Sequence, residues 1–143
     1  MPMAKLHSLI KFKRHELDEK REILSKLNDE LERLKNFKQQ LLDNLAREKN
    51  LAAVDIDIAR SFGPYLNKTL AQCADLDNMI RAKLQEVQAA THVVQDAYLE
   101  VKKLEITQDK RDDEEDTRIK KIETNTLDDI GIESFRRGQD GRV

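Results

Sequence analysis

Apolar residues recur along the first sixty positions in alternating steps of four and three. Positions 10, 17, 24, 31, 38, 45 and 52 read Ile, Leu, Leu, Leu, Lys, Leu, Ala, and the interleaved set 13, 20, 27, 34, 41 and 48 reads Lys, Lys, Leu, Leu, Leu, Glu. That spacing puts one stripe on one face of an α-helix and is the signature of a coiled-coil seam. The seam is strongest through Leu24, Leu27, Leu31, Leu34, Leu41 and Leu45. A second stripe follows at 66, 73, 80, 87, 94 and 101, reading Leu, Cys, Ile, Val, Val, Val, with Leu70, Leu84 and Tyr98 taken as its interleaved partners. Its predicted seam residues are Ile80, Leu84, Val87, Val94, Tyr98 and Val101.

The two stripes are separated by "RSFGPYLNKT", residues 60–69, which holds the only glycine before residue 131 and one of two prolines. Residues 3–62 and 65–130 contain neither. Glycine tolerates positive φ and proline lacks an N–H, so the pair predicts a break, with Pro64 opening a new helix and Ser61 capping one end. The prediction is an all-α fold, a long two-helix antiparallel coiled-coil hairpin with a short C-terminal helical tail. Arm one covers about 4–60, the turn 61–65, arm two about 66–124 and the tail 125–143, all in a single domain.

A fold-back at Gly63-Pro64 requires facing residue numbers to sum to about 127 or 128. Under that rule Leu27 meets Val101, Leu34 meets Val94 and Leu41 meets Val87. Glu48 lies near Ile80, and Lys38 falls opposite Ala90, past which its ammonium reaches water. Further out Leu9 pairs with Ile119 and Leu6 with Ile122, while Lys13, Arg14 and Lys20 face Gln108, Arg111, Glu114 and Glu115 across a polar interval. An arm of 55 residues is on the order of 80 Å long, so the expected molecule is a rod. Leu127, Ile130, Ile132 and Phe135 are left without an intramolecular partner.

Composition supports this reading and narrows function. Of 143 residues 38% are charged, 4% aromatic and none tryptophan, which disfavours a compact globular core. A net charge of −2 makes the chain a poor nucleic-acid binder, because phosphate neutralisation needs surplus Lys and Arg. The one cysteine, Cys73, excludes an internal disulfide and suits a reducing compartment, where at a seam position it acts as a small buried hydrophobe. The N-terminal stretch resembles neither a signal peptide nor a membrane span, so a cytoplasmic location is expected.

Candidate chemistry is sparse. His7, His15 and His92 have no third ligand at metal spacing, "RDDEED" lacks the spacing of a calcium loop, and no Gly-rich phosphate loop or nucleophile motif occurs. No catalytic residue, cofactor or metal is expected, and the chain reads as a non-enzyme. Phe62 and Tyr65 flank the expected turn, where they either close the hairpin on Ile58 and Leu66 or anchor a partner.

Three segments, "SLIKFKRHELDEKREIL" (8–24), "AYLEVKKLEITQDKRDDEE" (97–115) and "TLDDIGIESFRR" (126–137), together with "FGPY" between them, resemble in their order the FliJ family of flagellar type III export proteins. The likeness is to its alphaproteobacterial branch, with the YscO proteins as more distant relatives. The resemblance implies a cytoplasmic coiled coil at the base of the flagellum, similar to the central stalk of rotary ATPases. The implied partners are the hexameric export ATPase, the cytoplasmic domain of the export gate and export chaperones, with membrane association only through them. On this reading Lys11, Lys13, Arg14, Leu127, Ile130 and Phe135 form the ATPase-facing end, and Phe62 and Tyr65 the opposite tip. Two other classes are a prefoldin-like holding chaperone, which needs β-hairpins between its arms where only "VDIDIA" (54–59) alternates, and a structural homodimeric coiled coil.

Overall fold

The computed structural model describes the backbone of residues 2–140 and the side chains of residues 6–138. Two α-helices account for nearly all of it: α1, Pro2–Ala52, and α2, Ile56–Asp140. No strand occurs among the described residues, and "VDIDIA" forms the turn and the first turn of α2. Helix-favouring Leu, Lys, Glu, Gln, Arg and Ala dominate both elements, and the apolar stripe supplies what propensity alone does not, a face to bury.

The turn lies at Ala53–Asp55, not at the expected 61–65. Its chemistry is explicit. The Leu51 carbonyl accepts from the Val54 and Asp55 N–H groups at 3.1 and 3.0 Å, closing the end of α1. Asp55 then caps α2, its Oδ1 accepting from the Asp57 and Ile58 N–H groups at 2.9 and 3.3 Å. Asp57 in the first turn of α2 and Lys49 in the last turn of α1 complement the helix dipoles. Substituting Asp55 by alanine is expected to lower stability by about 1 kcal/mol, readable as a shift in the urea midpoint with an unchanged slope.

Pro64 consequently lies inside α2. It leaves the Arg60 carbonyl without its usual donor. Ser61 caps nothing: its hydroxyl donates back to the Ile58 carbonyl at 3.1 Å, as a mid-helix serine does. Phe62 and Tyr65 are half-buried within the helix, away from the turn, whose exposed apolar residues are Leu51, Val54 and Ile56.

The chain forms two compact units. In the unit His15–Tyr98, Leu17, Leu31, Cys73, Leu76 and Ala97 are buried together with Thr69. Leu24, Leu27, Leu34, Leu41 and Leu45 are half-buried on α1, as are Ile80, Val87 and Val94 on α2. The covered residues interleaved with these on α2 are Phe62, Thr69, Leu76, Lys83, Ala90 and Ala97, not the expected Leu70, Leu84 and Tyr98, which are 50%, 37% and 43% exposed. The choice between the two sets turns on shape. Alanines at 90 and 97 admit close approach of the opposing helix, and Lys83 lays its stem across the seam while its ammonium reaches Glu30 at 2.7 Å and Glu86 at 2.8 Å.

Cross-helix ion pairs fix the register of this unit. Glu30 with Lys83, and Lys38 with Asp77 at 2.6 Å, have residue numbers that sum to 113 and 115. The expected sum was 127 or 128, so Lys38 meets Asp77 and not Ala90, and Leu34 lies level with Ile80 and not Val94. The displacement is about fourteen residues, two whole heptads. Such a shift keeps every seam residue on the seam, which is why the apolar pattern satisfied both registers.

The Lys83 ammonium holds Glu30 below the ordinary carboxylate range, by its hydrogen bond first and its charge second. A carboxyl depressed in the folded chain contributes stability above its unfolded pKa and loses it as pH falls through the folded value. Acidification below about pH 4 is therefore expected to destabilise the protein less in Glu30→Gln than in the parent, tested by thermal melts across pH 2–6 at low salt. Equal acid sensitivity in the two would contradict the assignment.

Candidate functional site: the end of the second helix

The other unit joins the stretches on either side of the first. Here Ile10 of α1 and Val101 of α2 are buried, with Leu6 and Leu104 half-buried. Lys13 Nζ lies 3.3 Å from Glu100, and the Arg14 guanidinium donates through Nε and Nη2 to Glu105 Oε1 at 3.1 and 3.0 Å. Glu105 also accepts from Lys102 at 3.1 Å, and those cations, Lys102 before Arg14, hold its carboxyl below the ordinary range. Gln108 is buried and donates from Nε2 to Asp112 at 2.7 Å. The expected facing of Lys13 and Arg14 with Gln108, Arg111, Glu114 and Glu115 is thus replaced by pairing with Glu100 and Glu105. Lys13 and Glu100 sum to 113.

With that register Pro2, the first described residue of α1, falls level with the acidic run of α2. From Asp116 to Gly138 every residue of α2 is exposed. The segment stays helical on local terms: Arg118 pairs with Glu115 one turn back, Arg137 donates to Glu133 at 2.6 Å, and the Thr126 hydroxyl donates to the Ile122 carbonyl at 2.9 Å. Its apolar residues face water. Ile119, Ile122, Leu127, Ile130, Ile132 and Phe135 are 42% to 67% exposed. Ile119, Ile122, Thr126 and Ile130 follow one another at spacings of three and four and share a face, which Leu127 widens.

Of the residues expected at this end, Leu127, Ile130 and Phe135 are exposed, Lys11 is exposed, and Lys13 and Arg14 are engaged by Glu100 and Glu105. Ile119 and Ile122, which the longer register had paired with Leu9 and Leu6, belong to the exposed stripe instead. Their place was hidden because the alternative register gave each a plausible apolar partner. No group of three or more potential metal ligands exists among the described residues, and no helix there is long and apolar enough to cross a membrane.

Together these features define an all-α coiled-coil hairpin whose second helix outruns the first and ends in an uncovered amphipathic stretch. The model of the family described as "Flagellar FliJ protein" matches residues 3–140. The chain belongs to the FliJ family and is a component of the flagellar protein export apparatus. No curated protein and no solved structure gives a significant match.

Proposed function

We propose that the chain acts as a stalk-like coiled coil in the cytoplasm at the base of the flagellum, engaging the export ATPase ring and linking it to the cytoplasmic domain of the export gate and to export chaperones. The observation that carries this reading is the helix from Asp116 to Gly138, which presents an apolar stripe to solvent. An isolated helix of this length is marginal in water, so a partner that covers the stripe gains both the buried apolar area and the ordering of the segment. Lys13 and Arg14 are held by Glu100 and Glu105 further back along α2, and Lys11 is exposed on the same stretch of α1. The chain supplies the docking surface, and ATP hydrolysis belongs to the partner.

The test measures ATPase turnover of the purified export ATPase with the intact chain, with residues 116–143 deleted, and with Ile122→Asp. Stimulation by the intact chain that falls to the unstimulated level with the deletion, and at least tenfold in potency with Ile122→Asp, supports the proposal. Both variants should melt like the parent, because residues 116–138 contribute no buried side chain. Undiminished stimulation by the truncated chain would overturn the placement of the contact, and no stimulation by the intact chain would overturn the stalk reading.

A further inference from the structure

We propose that α2 has two alternative starting points, Ile56 under the Asp55 cap and Pro64, and that residues 56–63 melt as one unit between them while the helix beyond Pro64 stays formed. The stretch is weakly held. Only Ile58 and Phe62 are half-buried among residues 56–63, whereas the following residues bring Tyr65 and Leu66 half-buried and Thr69 and Cys73 buried. The opposing helix offers it little, since α1 ends at Ala52.

Backbone accounting points the same way. In the closed form Pro64 stands in a helix interior, where it donates nothing to Arg60 and its ring crowds the preceding turn. In the open form Pro64 is the first residue of the helix, the position at which a missing N–H has no consequence and a fixed φ is preorganised. Gly63 becomes the residue before the new start, where glycine serves nearly as well as a polar cap, and it has open space around it in the closed form. The closed form is held by the Asp55 cap, by the hydrogen bond from the Ala59 N–H to the Asp55 carbonyl at 2.9 Å, and by the helical bonds that follow. Opening lengthens the connection from residues 53–55 to residues 53–63 and frees the apolar side chains of Ile56, Ile58 and Phe62 from helical constraint. This device is independent of the proposed contact at the other end of α2.

Hydrogen exchange on the full chain tests it. Amides of Ala59–Gly63 are expected to exchange at least tenfold faster than those of residues 68–80, with rates insensitive to low denaturant, as local openings are, while the latter accelerate. Pro64→Ala removes the interior penalty of the closed form and is expected to slow exchange at Ala59–Gly63 by on the order of 100-fold. Equal protection of the two segments in the parent, or an unchanged rate at Ala59–Gly63 in Pro64→Ala, would overturn the proposal.

Discussion

Replacing Pro64 by alanine is expected to stabilise the folded chain by about 3 kcal/mol, an unusually large gain for one substitution. Proline in a helix interior forfeits one hydrogen bond and strains the turn before it, and here the residue sits in the ninth position of α2. The side chain that alanine adds is small, and the backbone already has helical geometry, with no positive φ among the described residues. At this chain length the midpoint of thermal unfolding should rise by roughly 10 °C. Adding Gly63→Ala should contribute about 1 kcal/mol more, since a Cβ there meets nothing within 4 Å. An unchanged or lowered midpoint for Pro64→Ala would show that Pro64 is not held in a helix, and would restore the Gly-Pro pair as the turn.

The second large effect concerns register. In a Cys73→Ala background, cysteines at Leu34 and Ile80 are expected to join rapidly within one chain under a short thiol cross-linker. Glu30–Lys83 and Lys38–Asp77 bracket that pair on either side. Closing the loop of roughly 45 residues should add about 4 kcal/mol of stability by restricting the unfolded chain. Cysteines at Leu34 and Val94 test the longer register and should remain unlinked, because fourteen residues along a helix displace Val94 from Ile80 by about 21 Å. Preferential linking of 34 with 94 would overturn the register, and with it the extent of the uncovered helix. Linkage between chains, detected as covalent dimers at dilute concentration, would favour the homodimeric coiled coil.

That choice of register decides how much of α2 is available to a partner. Folding back at 53–55 shortens α1 relative to α2, so the uncovered stretch begins at Asp116 and includes Ile119 and Ile122. Folding back at 61–65 would have covered both and left only the last residues free. A turn some nine residues earlier therefore enlarges the candidate docking surface at the far end of the same helix. Leu127, Ile130, Ile132 and Phe135, expected from the sequence to lack an intramolecular partner, are exposed.

The all-α class, the two amphipathic stripes, the buried position of Cys73 and the family resemblance follow from the order of residues. Each depends on periodicity along one helix or on local motifs, and a helix imposes its own period. The position of the turn did not follow, because Gly-Pro is the stronger break by composition while Asp55 wins by satisfying the first N–H groups of α2. Nor did the choice of Thr69, Lys83 and Ala97 over Leu70, Leu84 and Tyr98 as covered positions, which depends on how closely the opposing helix approaches. A heptad pattern is nearly unchanged by a shift of seven or fourteen residues, so hydrophobicity could not select the register. Only the packed helices decide it, through the cap that ends one and starts the other and through the specific meeting of Glu30 with Lys83 and Lys38 with Asp77.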